Sequence, residues 1–309
     1  MRIAITGATG FIGKGLTRLL VQEGHRVTVL SRDPRKAIGI FENKVDAFMF
    51  AEDNRSELIR ELDGTDAFVN LAGENIGSSL WTKGKRKKIL ESRLYAGRLI
   101  TDVVSSMKRR PDVLVQASAV GFYGTRAEEK LDETSSAGDG FLAQVVRKWE
   151  DSTKGAEALG IRRVIIRSGV VFAADGGALP KLALPYTLFF GAVMGSGEQW
   201  VPWIHYSDEL EAIRFLISDQ FASGIYNLVS PNPARMVEVS SAISEVLHRP
   251  TLFRIPASLL KTAMGKMAEE TILPSQQVSP ARLAGAGFKF RHAGLKSSIG
   301  QIFSHDNEE

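Results

Sequence analysis

The segment RIAITGATGFIGKGLTRLLVQEG, residues 2–24, constrains the fold more than any other stretch of the chain. A short apolar run leads straight into three glycines spaced three apart, Gly7, Gly10 and Gly13, and then into a helical pattern. A strand, a tight turn and a helix N-terminus in that order aim free backbone N–H groups and the positive end of a helix dipole at one point, where a pyrophosphate can sit. Gly7 then makes the turn, Gly10 lets the phosphates approach, and Gly13 lets the helix lie on the sheet, with Thr9, Phe11 and Ile12 completing the loop. Glycines also serve turns at strand ends for backbone reasons alone. Here the turn opens a βαβ unit, and a dinucleotide is the expected ligand.

The alternation continues through HRVTVLSR, SELIRELDG, DAFVNLAG, a long helical stretch near 85–107, VLVQASAV, a helix near 141–158 and RRVIIRSGVVF, about six strands by residue 172. It predicts an α/β protein with a Rossmann-type doubly wound parallel sheet. Beyond that point ADGGALPKL and GAVMGSGEQWVPW punctuate the chain with Gly and Pro. The expected division is a nucleotide-binding domain over 1–175 and a smaller C-terminal, substrate-side domain over 176–309, with segments near 203–230 packing back on the core. The final HDNEE reads as a solvated tail.

With 309 residues, 44% apolar and 24% charged, the chain can bury a core of this size. A net charge of +4 and a pI near 9.2 are too mild for nucleic-acid binding and suit a phosphorylated ligand. The absence of cysteine excludes disulfides and thiolate chemistry, and five scattered histidines offer no metal-ligand spacing, so no metal is expected. MRIAITGATG lacks the pattern of a signal peptide, and no run approaches the ~18 apolar residues of a membrane span. No membrane partner is expected, and a cytoplasmic location is the default.

The end of the second strand bears on which dinucleotide binds. A carboxylate there would hold a ribose 2′-hydroxyl and repel a 2′-phosphate. This chain places Ser31 and Arg32 at that end, followed by Arg35 and Lys36. A hydroxyl and a guanidinium suit a phosphate dianion, so NADP(H) is the expected cofactor. The plainer alternative is a solvated turn in which Asp33 caps the next helix.

With the glycine loop, NLAG at 70–73 and SAVGFYG at 118–124 in order, the chain resembles the extended short-chain dehydrogenase/reductases. WTKGKRKKILESR, FLAQVVRKWE, WIHYSDE, NLVSPNPAR and SQQVSPARLAGAGFKF narrow the resemblance to the atypical "epimerase family" subgroup with a C-terminal domain of unknown function. The resemblance implies that Leu71, Ala72 and Gly73 join the cofactor loop. It also implies a catalytic Tyr-x-x-x-Lys dyad, which is absent here: four residues after each of the five tyrosines stand Leu99, Ala127, Phe190, Leu210 and Ser230. Aligning the helix on Glu150 puts Leu142 and Val146 at the dyad positions, and the usual serine falls on Ala119, one residue after Ser118.

A carbonyl reduction still needs a proton donor or a hydrogen-bonding electrophile. The candidates are Ser118 and Tyr123 past the fifth strand, Glu74 just beyond NLAG and close to the nicotinamide, and His205 within WIHYSDE. Each has a plain structural reading as well: a packed aromatic, a solvated carboxylate, a core histidine, with Ser207 or Asp208 capping the helix that follows. Trp81 and the five cations from Lys83 to Lys88 read either as a solvated face or as the rim that receives an anionic group. Trp200 and Trp203 read either as pocket walls on a loop over the site or as inter-domain packing.

Two functions follow from these residues. One is an NADP-dependent oxidoreductase or epimerase-like enzyme of a small carbonyl or sugar-like substrate, with room for a homodimer. The other is a non-catalytic NADP(H)-binding regulator, redox-sensing or linked to cell division as the resemblance implies.

Overall fold

The computed structural model describes residues 1–305; Asp306–Glu309, most of the expected tail, lie outside the described residues. Seven strands make one parallel sheet: β1 (Arg2–Thr6), β2 (Arg26–Ser31), β3 (Asp46–Met49), β4 (Ala67–Asn70), β5 (Val113–Ala119), β6 (Arg162–Ser168) and β7 (Gly224–Leu228). Their order is β7-β6-β5-β4-β1-β2-β3. The order reverses between β1 and β4, where successive crossovers leave in opposite directions and a crevice opens above the carboxyl ends. The doubly wound sheet expected from the alternation is therefore present. Its seventh strand comes from GIYNL, beyond the point where the pattern becomes irregular.

Helices cover both faces: α1 (Phe11–Gln22), α2 (Pro34–Ile40), α3 (Arg55–Leu62), α4 (Lys83–Ser106), α5 (Phe141–Asp151) and α6 (Tyr206–Ser218). Register explains which residues meet them, because side chains alternate across a strand. Ala4, Phe68 and Leu114 stand in line across β1, β4 and β5 and pack against Leu58, Leu99, Ile100 and Val103 of α3 and α4. Their neighbours Ile5, Val69, Val115 and Val164 face the other way, onto Leu16, Leu20, Ile213 and Leu216 of α1 and α6. Each fully buried side chain of this kind contributes about 1.5–3 kcal/mol.

A third cluster gathers Phe172, Tyr186, Trp203, Met236, Ile243 and Ile299, all from residues beyond β6. The helices Leu179–Thr187, Met236–Leu247 and Leu295–His305 supply most of it. A short parallel ladder between Val170–Phe172 and Trp203–His205 joins this body to the end of β6, so α6 starts immediately beside the sheet. Among the described residues no helix is long and apolar enough to cross a membrane.

Candidate functional site

The loop between β1 and α1 is built as its spacing demands. Gly7 has φ of +71°, and a Cβ there would lie 2.7 Å from the carbonyl carbon of Leu71, so the turn hugs the end of β4. A Cβ on Gly13 would lie 2.2 Å from the Gly7 carbonyl oxygen, which forces glycine where α1 slides under the loop. Gly10 differs from both. It is exposed, a Cβ there would meet only the Gly7 oxygen at 3.1 Å, and it stands at the α1 N-cap with no side-chain cap and no acidic residue in the first turn. The first N–H groups of a helix have no intrahelical partners, so this end is open to an anion. Thr9, Phe11 and Ile12 are half-buried around it.

At the end of β2, Ser31 Oγ accepts from Asp33 N at 3.1 Å, and the Asp33 carboxylate accepts from Lys36 N at 3.0 Å, capping α2. The nearest carboxylate is thus engaged within its own turn, and Arg32 stands exposed. Beyond β4, Leu71 N donates to the Thr6 carbonyl at 3.1 Å, and Ala72 N faces Asn70 Oδ1 at 3.4 Å. Gly73 is exposed over Arg93, whose guanidinium would lie 2.9 Å from a Cβ there. Beneath the loops a row of buried polar side chains crosses three strands: Thr6 donates to Asn70 at 2.7 Å and Asn70 to Gln116 at 2.8 Å. The glycine loop, the Ser31–Arg32 corner and Leu71–Gly73 therefore border one crevice at the sheet's reversal.

The candidate proton donors are each hydrogen-bonded within the fold. Ser118 lies within β5, not past it, and its hydroxyl donates to Glu150 Oε1 at 2.5 Å. Tyr123 is fully buried; its phenol donates to Asn227 at 2.7 Å and accepts from Arg167 at 3.1 Å. Burial raises the phenol's pKa against the opposing pull of Arg167. Glu150 and Arg167 form a two-point ion pair at 2.8 and 3.0 Å, so these four side chains make one buried network on the α5 side of the sheet. The signal available in the sequence was polar residues inside apolar strands, Gln116, Arg167 and Asn227.

Glu74 is an ion-pair partner. Its carboxylate accepts from Lys85 Nζ at 2.5 Å, and that hydrogen bond, with the charges of Lys85, Lys88 and Arg32, holds its pKa below the usual carboxylate range. An ionised carboxylate held by Lys85 is a poor proton donor.

His205 is the N-cap of α6: Nδ1 accepts from Ser207 N at 3.1 Å, the place that Ser207 or Asp208 was expected to fill. The strand Trp203–His205 runs into the helix without a linker, so the cap falls on the strand's last residue. Asp208 instead accepts the backbone N–H groups of Arg291 and His292. Burial, and the ring of His292 at 3.9 Å, hold His205 down to about 4.

Of the tryptophans, Trp203 is 1% exposed, stacks on Phe172 and donates to the Asn232 carbonyl, which makes it a core residue of the C-terminal body. Trp200 donates to Glu128 at 3.0 Å beneath Arg235, in a strand paired with Ala234–Arg235 where a loop over the site was expected. Trp81 borders the α5 N-terminus, its ring 5.4 Å from that of Phe141, with the Arg86 guanidinium 5.8 Å from the Phe141 ring and Lys181 bonded to the Gly77 carbonyl at 2.9 Å.

Leu142 is half-buried and Val146 buried, and with Glu150 they form one stripe along α5 at four-residue spacing. Gly140, with φ of +107°, precedes α5 and has no side chain to cap it. The cap comes from Glu270, whose oxygens accept from Phe141 N at 3.0 Å and Leu142 N at 2.6 Å.

The model of the NAD dependent epimerase/dehydratase family matches residues 3–228, and that of a domain of unknown function matches residues 255–302. Epimerase family protein YfhF of Bacillus subtilis is 36% identical over 98% of either chain. The chloroplastic epimerase family protein SDR39U1 homolog of Arabidopsis thaliana is 37% identical over 98% of this chain and 86% of its own. In three dimensions the human epimerase family protein SDR39U1 (isoform 2), in a crystal structure with NADPH, matches with a TM-score of 0.87 and 30% identity over 98% of this chain and 99% of that one. One family model spanning most of the chain, and relatives that follow it nearly end to end, establish that it belongs to the NAD dependent epimerase/dehydratase family of extended short-chain dehydrogenase/reductases.

Proposed function

We propose that this protein is an NADP(H)-dependent oxidoreductase of a small carbonyl or sugar-like substrate that works without the Tyr-x-x-x-Lys dyad of its family. The observation that carries the nucleotide is the open helix end at Gly10, with Arg32 exposed beside it and the Asp33 carboxylate engaged in capping. The human relative's structure with NADPH supports the 2′-phosphorylated form. Gly7, Thr9, Gly10, Phe11, Ile12 and Gly13 would hold the pyrophosphate, Ser31 and Arg32 the 2′-phosphate, and Leu71–Gly73 would line the path between the halves. When bound, the cofactor supplies or accepts a hydride.

The chain's own residues then orient substrate. Trp81 and Phe141 form an aromatic wall beside Leu142, and Arg86 and Lys181 offer charge to an anionic group. Val146 keeps the dyad position dry. The proton for an alkoxide would come from solvent water, because Glu74, Ser118, Tyr123 and His205 are each held in other contacts. That engagement is also the observation favouring the second reading, a regulator that binds NADP(H) without turnover.

Titration of NADPH and NADH by tryptophan quenching tests the cofactor. NADPH is expected to bind tighter, and Arg32→Ala to remove about one to two decades of that preference, the worth of one charge-assisted contact. Equal affinity in the native protein would refute the assignment. NADPH absorbance with a panel of aldehydes, ketones and nucleotide sugars then separates the two readings: turnover supports the enzyme, and binding without turnover across the panel supports the regulator.

A further inference from the structure

The first turn of α6 holds a carboxyl that neither reading uses. Glu209 is 1% exposed; Oε1 accepts the Ser168 hydroxyl at 2.5 Å, and Oε2 has no hydrogen-bond partner among the described residues. A buried carboxylate with a bare oxygen is costly, so the group must stay neutral or meet a cation.

Among the described residues no cation answers it. On α1, Lys14 and Arg18 are exposed. On β6, Arg167 stands on the opposite face, bound to Glu150, and Arg163 on that face is bound to Glu157, while Arg162 is bonded to the Leu216, Ile217 and Ala222 carbonyls at the far end of α6. β5 and the strand Val170–Phe172 carry no titratable side chain. His205 is the neutral cap with His292 stacked on it, Asp208 is engaged by backbone N–H groups, and Tyr206 senses the exposed Asp175. Burial pushes Glu209 up to about 8, so it keeps its proton at neutral pH.

Its place in the fold gives that proton a use. Ser168 is half-buried and ends β6, two strands from β4 across β5. The same turn of α6 reaches the glycine loop: the Tyr206 hydroxyl donates to the Phe11 carbonyl at 3.1 Å, and its ring stacks on Phe11 at 4.8 Å. A Cβ on Gly15 would lie 2.7 Å from Leu210. Within five residues, α6 therefore touches both the phosphate loop and the end of β6. A dinucleotide with its pyrophosphate at the loop and its adenosine over β2 must run its other half across the ends of β4, β5 and β6.

We propose that Ser168 and Glu209 form a proton-holding pair at the nicotinamide half of the bound nucleotide, losing one proton to solvent when the oxidised form binds and retaining it with the reduced form. The proposal rests on the NADP(H) reading. The oxidised ring carries one positive charge and the reduced ring none. A cation brought into a poorly solvated site favours the charged carboxylate. Glu209 then releases its proton to solvent, Ser168 keeps its hydrogen bond to the carboxylate, and the two charges balance. When the ring is reduced, the carboxyl takes a proton back from solvent. No electron passes through the pair; the hydride comes and goes at the ring.

Affinities of the full chain for NADP+ and NADPH, measured by calorimetry between about pH 6 and about pH 9, test this. The ratio of the two Kd values, NADP+ over NADPH, is expected to fall as pH rises toward about 8, by up to about ten-fold per pH unit, and then to level. Ionisation of the 2′-phosphate is common to both ligands and cancels in the ratio. Glu209→Gln, which keeps an acceptor for Ser168 without a titrating proton, is expected to flatten it. Should that variant not fold, Ser168→Ala decides: it removes the bond that favours the carboxylate, so the levelling point should move to higher pH, and an unmoved point would overturn the pair. A flat ratio in the native protein, or a slope that survives Glu209→Gln, would overturn the proposal while leaving nucleotide binding intact. Binding of neither nucleotide would overturn both.

Discussion

Arg167 carries a guanidinium into a place where a bare charge would cost several kcal/mol, and Glu150 meets it with both oxygens. Ser118 and Tyr123 complete the network with their hydroxyls. Glu150→Gln is expected to lower stability by about 3–5 kcal/mol, since it leaves the Arg167 charge unanswered, and a urea midpoint would read it. Tyr123→Phe, which leaves Asn227 and one Arg167 N–H without this partner, should lose about 1–3 kcal/mol and leave NADPH affinity unchanged. Loss of turnover in folded Tyr123→Phe that still binds NADPH would assign that phenol to catalysis. The sequence places Ser118 and Tyr123 near a strand end, but their partners stand 32, 44 and 104 residues away, beyond the reach of any local pattern.

At the scale of elements, the helix starts are the informative feature, because each settles what its first turn can bind. α1 begins on Gly10 with nothing to cap it, which leaves its N–H groups for a ligand. Gly10→Val should therefore abolish NADPH binding with little change in melting temperature, while Gly13→Val, driven into the Gly7 carbonyl, should unfold the loop. Equal effects of the two on stability would count against this division of roles. α6 begins on His205, whose Nδ1 must stay unprotonated to accept from Ser207. The folded pKa of about 4 lies below the unfolded value near 6.5, so the unfolded chain binds the proton more readily. Stability from this group is complete above about pH 6.5 and is lost as pH falls toward about 4, on the order of 2–3 kcal/mol. His205→Asn keeps a capping acceptor that does not titrate, and its melting temperature should drop less between about pH 7 and about pH 4.5 than that of the native chain.

Over the whole molecule, contacts between distant segments frame the crevice. β7 and α6 bring residues from beyond the irregular stretch back onto the sheet. Glu270, from the region matched by the domain of unknown function, caps α5 beside Trp81 and Phe141. The side expected to face substrate is thus assembled from three separated parts of the chain: the segment after β4, the start of α5 and the helix Lys266–Thr271. Trp81 and Arg86, from the segment expected to border this side, lie against Phe141, and Lys181 reaches the Gly77 carbonyl nearby. Trp203 belongs instead to the C-terminal core.

The sequence by itself determined most of the sheet and the glycine loop, and left the Ser31–Arg32 turn open between a phosphate site and the Asp33 cap that the structure shows. Strand and helix periods and turn chemistry depend on residues within about four positions of one another, so a linear reading captures them. Only the tertiary structure decided what the ionisable and hydroxyl groups are for. Glu74, Ser118, Tyr123 and His205 all lie near strand ends, as their order implies, yet what each can do depends on whichever group comes within hydrogen-bond reach. For Ser118 and Tyr123 those groups arrive from α5, β6 and β7; for Glu74, from the first turn of α4; for His205, from the helix it caps and the ring of His292. Glu209 shows the same division most sharply. In sequence it is one acid in the first turn of an amphipathic helix, and only burial beside Ser168 makes it hold a proton at neutral pH.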